Sequence, residues 1–450
     1  MADKLLVRFA GEGSGSGGLS WWQQTIWRAF EAVGSPIWLT GIRPLPAGST
    51  AQDVADELAF IMSRNQSMRT RLIISDDGPI QQVVSASGEI ELPIIDVDDD
   101  ADPLKVARAI EEDWRDRDLC YDYANDWPVR TVVIRHAGAA THLVQAISHL
   151  VSDGFGVMAL LADLAARDPV TGAAGAPNTS MEPLEQAQWQ SSPAGKRRSM
   201  MAEQHWQRLL RTIPARRFAE PADKPQARYW RATFDSRAAY LGIRAIAART
   251  SVDTSPVLLA AFAVGLARAG GSNPVVPRVY VSNRFRPRLA STVSPIAQTC
   301  PCVIDVAGVS FEEAVRRTYY ASLTAYKHAY FEPVKIRELL AATSEERGEE
   351  IDLSCIYNDK RLYSPRGAGD SRPTPEEIRA ALPLSTLCWE ERPEPEDLCN
   401  IMIEDSPETI NVLVLADSQY VTQSQVETFL REMEAIAVQA AFDPDVQTGI

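Results

Sequence analysis

Apolar residues recur along this chain with two periods, one of three to four residues and one of two, and the switches between them mark out the elements. Over residues 19–32, Trp22, Ile26 and Phe30 fall on one side of a helix, with Ser20 placed to cap it. Val54, Leu58 and Ile61 give a second helix over 50–65. Short apolar runs at 72–74 and 80–84 predict a strand pair turned at Asp76-Asp77-Gly78. Residues 102–116 read as a helix with Pro103 in its first turn. The β-rich runs 129–136 and 141–147 predict a hairpin turned at Ala137-Gly138. A strongly apolar helix follows over 154–167. Residues 169–193 have little apolar periodicity and several Pro, Gly and Ala, and read as a linker. Beyond it the pattern predicts helices over 196–212, 236–250, 255–269, 311–330 and 422–441. Strands are predicted over 275–281, 351–357 and 409–415. The stretch 11–18, GEGSGSGG, reads as mobile or irregular backbone, without the Lys and following helix of a phosphate loop. The fold class is mixed α/β (α+β), in two lobes, 1–178 and 179–450, the second including the linker.

Length supports that division, because 450 residues exceed one ordinary core. With 45% hydrophobic and 23% charged residues the composition is globular rather than disordered. No apolar run approaches the ~20 residues of a membrane span, and no signal-peptide pattern opens the chain. The expected location is cytoplasmic, with no membrane partner. A net charge of −15 disfavours nucleic acid as a partner. One local exception is basic: Lys196-Arg197-Arg198, then Arg208, Arg211, Arg216 and Arg217. It is a solvated helix face or a landing patch for an acidic partner. Among six cysteines only Cys300 and Cys302 are close, and C-x-C lacks a second ligand pair. His136, His142, His205 and His328 form no ligand spacing, so no metal site is expected.

The segment with chemical content is Ser148-His149-Leu150-Val151-Ser152-Asp153-Gly154. His149 ends a predicted strand and enters a short loop before a helix, where a scaffold can aim a side chain and leave it accessible. Imidazole can take a proton from an attacking amine, hydroxyl or thiol near neutral pH. Asp153 either organises the loop or caps the next helix, and Gly154 permits backbone closed to other residues. Standing alone, the spacing favours a hydrogen-bonded structural histidine, with Asp153 capping the following helix.

Its company gives it more weight. Ser20-x-Trp22-Gln23-x-x-Ile26-Trp27 is similar to the S-x-A-Q-x-x-L-W helix that opens condensation domains of nonribosomal peptide synthesis. Residues 64–70, RNQSMRT, resemble that family's R-H-E-x-L-R-T segment. Residues 147–156 match M-H-H-x-x-x-D-G-W-S at the second histidine, the aspartate and the glycine. Residues 185–190, EQAQWQ, look like D-Y-A-x-W-Q, residues 294–299, SPIAQT, like G-x-F-V-N-T, and 328–332 end in F-E like a late family segment. The chain thus resembles the condensation domains of the chloramphenicol-acetyltransferase-like superfamily.

The resemblance implies two acetyltransferase-like lobes in a V-shaped pseudo-dimer, with the histidine loop in a central tunnel. It implies His149 as the base or positioning group for the acceptor nucleophile. Asp153 becomes a structural partner of Arg69, and the Gly154 N–H a candidate oxyanion donor. Ser148 replaces the first histidine as loop support, while Trp189, Asn283, Arg284 and Gln298 are candidates to line or brace the tunnel. No covalent cofactor is implied. The donor would be a phosphopantetheine-tethered acyl, aminoacyl or peptidyl group on a carrier protein in trans, or on coenzyme A. The acceptor would be a small molecule or peptide amine or hydroxyl, and the product an amide or ester of a natural product. Ser148, Gln298, Ser294 and Glu185-Gln186 depart from the family pattern and leave two alternatives: an inactive recruitment domain, or an acyl-CoA-dependent acyltransferase.

Overall fold

A computed structural model of the chain describes residues 3–75, 78–116, 121–168, 170–218, 227–270, 272–363, 373–392 and 398–450. Two units emerge, Met1–Ser199 with Ser282–Ala297, and Met200–Val281 with Gln298–Ile450. The sequence reading placed the division at 178/179; here it falls at 199/200, and a segment from the second half joins the first unit.

The first unit runs β1 (Asp3–Ala10), β2 (Gly15–Gly18), α1 (Trp21–Val33), β3 (Trp38–Pro44), α2 (Ala51–Arg64), β4 (Thr70–Ile73), β5 (Gln81–Val84), β6 (Ser87–Val97) and α3 (Pro103–Asp116). It continues through β7 (Val129–His136), β8 (Ala139–Ser148), α4 (Gly154–Ala165), α5 (Pro183–Ser191) and the start of α6 (Pro193–Leu210). Helix starts follow local chemistry. Ser20 and Gln23 form a capping box on α1, and Thr50 and Asp53 form one on α2. Strands β1-β6-β7-β8-β3 make a five-stranded sheet, antiparallel except between β6 and β7. Val132, Ile134 and Val144 bury one face of it against Ala107 of α3. The β7–β8 hairpin turns where predicted, with Ala137 at φ 49° and Gly138 at φ 79°.

Two expectations change. The Gly/Ser stretch is not all irregular: β2 pairs antiparallel with β5, which also carries β4, in a separate three-stranded sheet. Backbone pairing needs no side chain, so glycine supplies the ladder as well as any residue. The expected linker holds α5, begun by Pro183 at a position where a missing N–H costs nothing. The predicted turn at Asp76-Asp77 lies outside the described residues.

The second unit contains β9 (Tyr229–Ser236), α7 (Arg237–Thr250), α8 (Thr254–Gly270), β10 (Arg278–Val281), β11 (Gln298–Pro301), α9 (Phe311–His328), α10 (Pro333–Arg347) and β12 (Cys355–Asp359). After these come α11 (Pro375–Ala381), β13 (Thr386–Arg392), β14 (Cys399–Glu404), β15 (Ile410–Asp417) and α12 (Gln423–Phe442). Its seven strands are ordered β11-β10-β12-β14-β15-β9-β13. Helix α8 is buried nearly all round, from Val257 to Ala267, which is why its sequence is apolar throughout. Phe262 of α8 meets Phe429 of α12 edge-on at 5.8 Å and Tyr357 of β12 at 5.0 Å, joining helix layer to sheet. Among the described residues no single helix is long and apolar enough to cross a membrane. Cys300 and Cys302 are buried, and burial pushes the Cys302 thiol up to about 12, so it packs as a small apolar group.

Candidate active site

Strand β8 ends at the buried Ser148, and the chain turns there because Val151 N–H donates back to Ser148 carbonyl oxygen at 3.0 Å. Ser148 Oγ accepts from Leu150 N–H at 3.4 Å within the turn. His149 N–H donates to Ile37 carbonyl oxygen at 2.9 Å, which pins the backbone beneath the ring. The imidazole is half-buried, and Trp22 of α1 packs edge-on to it with ring centroids 6.5 Å apart. Trp22 reads as a core residue in the sequence; it is buried, and it also flanks His149.

The decisive contact lies at Nδ1, which is 2.8 Å from the carbonyl oxygen of Ser152. A carbonyl can only accept, so Nδ1 carries the proton and the neutral ring keeps its lone pair on Nε2. The loop thereby fixes both ring orientation and tautomer.

Asp153 caps α4, its Oδ1 accepting Gly156 N–H at 2.8 Å. Its Oδ2 accepts from Ile296 N–H at 3.0 Å and Ala297 N–H at 3.3 Å. The guanidinium of Arg284 closes the set, Nη2 to Oδ1 at 2.9 Å and Nη1 to Oδ2 at 3.2 Å. Both side chains are nearly sealed, at 5% and 10% exposed, so the pair is a buried one with its carboxylate fully subscribed.

This corrects the expected partnership of Asp153 with Arg69. Arg69 is fully buried between α2 and β4, and its guanidinium donates to the carbonyls of Glu12, Gly13 and Ser85. It anchors the backbone just before the glycine-rich strand instead. Burial lowers the Arg69 pKa, opposed by Glu182. Burial in turn pushes the Glu182 carboxyl up to about 7, although Asn178, Gln66 N–H and Arg69 pull it down.

The segment 282–297 reaches the loop through backbone devices. Asn283 holds φ 58°, a left-handed value that asparagine tolerates, and its Nδ2 donates to Ile296 carbonyl oxygen at 3.0 Å. Asn283 and Arg284 therefore brace the loop. Ser152 Oγ donates to Val293 carbonyl oxygen at 3.0 Å. That oxygen would lie only 2.1 Å from a Cβ at position 156, so only glycine admits the close approach. Gln186 donates to Ser294 Oγ, joining two residues that depart from the family pattern. Trp189 of α5 is half-buried and meets Trp21 edge-on at 6.4 Å. Gln298 lies in the second unit, on β11, and its amide is committed at both ends: Nε2 donates to Phe331 carbonyl oxygen at 2.9 Å and Oε1 accepts Phe331 N–H at 3.0 Å. Gly154 is the first residue of α4, where the helix offers its N–H no acceptor.

A fixed histidine with a free Nε2, beside a helix start, can take a proton next to a developing oxyanion. Residues 48–449 match the sequence profile described as Condensation domain. The chain belongs to the condensation-domain family. Among curated relatives this condensation domain is similar to an isonitrile lipopeptide synthase of Mycobacterium tuberculosis, 29% identical over 291 residues, 60% of this chain and 11% of that protein. It is also similar to a probable nonribosomal peptide synthetase of Salinispora arenicola, 27% identical over 333 residues, 69% of this chain and 4% of that one. The chain thus spans a small part of the relatives it matches. Among solved structures, one of condensation domain-mediated chain release from the enacyloxin polyketide synthase superposes with a TM-score of 0.71 at 20% identity, covering 96% of this chain and 83% of that one. The X-domain from teicoplanin biosynthesis gives 0.67 at 18% identity, covering 98% of each chain. These likenesses establish the two-lobed, mixed α/β chloramphenicol-acetyltransferase-like fold.

Proposed function

We propose that this condensation domain transfers an acyl, aminoacyl or peptidyl group from a phosphopantetheine thioester to an amine or hydroxyl, forming an amide or ester. The observation that carries the reading is the Nδ1 contact of His149 with Ser152, which leaves Nε2 as the basic atom. In the transfer, the acceptor nitrogen or oxygen attacks the thioester carbonyl while Nε2 takes its proton. The oxyanion is met by the Gly154 N–H. Collapse reforms the carbonyl and breaks the C–S bond, and the imidazolium returns the proton to the departing thiolate. Asp153 and Arg284 take no proton in this scheme; they hold the loop.

Two donors share the phosphopantetheine arm, a carrier protein and coenzyme A. The test is turnover of a panel of acyl groups loaded on each, with wild type and His149→Ala. Loss of about 10²–10⁴-fold in kcat for a folded His149→Ala variant is expected, with the carrier-bound donor preferred. Undiminished turnover by that variant would sink the assignment of the base.

A further inference from the structure

Helix α6 presents an unusual face to solvent. Its buried side carries Ala202, His205, Trp206 and Leu210, which fasten it to the protein. On the other side Arg197, Met200, Met201, Gln204 and Arg208 are all exposed, the two methionines at 48% and 46%. At 100° per residue these five positions fall within an arc of about 100°, and Arg197 to Arg208 spans about 16 Å. Lys196 adds a third exposed cation at the strip's edge. Many surface arginines elsewhere in this chain find carboxylates, as Arg135 does with Asp96 and Arg317 with Asp305. Among the described residues Lys196, Arg197 and Arg208 have no such partner. The basic patch read from the sequence is thereby trimmed: Arg211 pairs with Glu346, and Arg217 is buried on the carbonyls of Asp352 and Pro214.

We propose that this strip is the docking surface for the carrier protein that brings the donor, recognised through an acidic helix with an apolar flank. The proposal rests on the transferase reading above. Cations at both ends with methionines between them match such a helix over three turns: the charges steer and set register, and the flexible thioethers adapt to its apolar side. A net charge of −15 works against an acidic partner over the molecule as a whole, so a strip of cations without carboxylate partners is a favourable approach.

The test is direct binding, so it needs no turnover. A panel of acidic holo-carrier proteins, fluorescent on the pantetheine arm, is titrated with wild type, Arg197→Glu/Arg208→Glu and Met200→Ser/Met201→Ser at low and high salt. The expected result is a Kd raised tenfold or more by charge reversal, with a flatter salt dependence, and a salt-independent weakening by the serine variant. Equal Kd values across the three proteins, no binding by any carrier, or binding of the strip to anionic phospholipid vesicles instead would overturn it. If His149→Ala keeps full turnover while charge reversal abolishes binding, the base assignment fails and the docking surface stands. The opposite pair of results removes the docking surface alone.

Discussion

At the scale of single residues, the loop depends on one carboxylate. Asp153 accepts three backbone N–H groups and a two-point guanidinium, so it ties α4 and the segment 282–297 to the turn that carries His149. Removing one member of a buried pair leaves the other uncompensated, which costs about 3–5 kcal/mol. Arg284→Ala should therefore lower stability by about that much in urea unfolding. A double-mutant cycle of Asp153→Asn with Arg284→Gln should give a coupling of about 1–3 kcal/mol, against about 0.5 kcal/mol or less for Asp153→Asn with Arg69→Gln. Equal couplings would contradict the pairing. Gly156 makes a sharper probe. A methyl there must push the Val293 backbone away, so Gly156→Ala should lower the melting temperature together with kcat. These partners were not legible in the sequence: Arg284 lies 131 positions from Asp153, while Arg69 sits in a motif-like segment that drew the pairing to itself.

At the scale of elements, legibility followed periodicity and caps. Ser20 announced α1 and caps it as expected, while the apolar face of Val54, Leu58 and Ile61 announced α2, which Thr50 caps. Ser20→Ala should cost about 1 kcal/mol, read as a shift in the unfolding midpoint. Strands such as β1, β3 and β6 escaped notice. In β3 no residue is fully buried, and β1 buries only Val7 and Phe9, so neither carries a strong alternation. Helix α10 was missed because it buries only Pro333, Ile336 and Thr343 of its fifteen residues. On α6, His205 stacks on His328 of α9 with centroids 4.1 Å apart. Burial, then the charges of His328, Arg208 and Lys327, lower its pKa from 6.5 to about 4. The unfolded chain then binds the proton more readily. The stability from His205 is complete above pH 6.5 and is lost as pH falls from 6.5 through about 4. That loss is at most about 3 kcal/mol, less what solvent screens at this ring, and His205→Phe should flatten the urea midpoint across this window.

At the scale of the whole molecule, the mixed α/β class in two lobes and the His149 loop were legible because ordered motif-like segments from Ser20 to Glu332 accompany the loop. The boundary was less so. The segment 282–297 leaves the second half to brace the first unit, a crossing that no composition shift announces. What the structure adds to the motif is a tautomer: Nδ1–H held by Ser152 and Nε2 left free. The most direct test of that claim is chemical rescue. His149→Gly should lose acyl transfer from a phosphopantetheine thioester and regain it with added imidazole, in proportion to the neutral form of the imidazole. A glycine variant that folds, binds donor and stays inactive at every imidazole concentration, or that needs no rescue, would contradict the account.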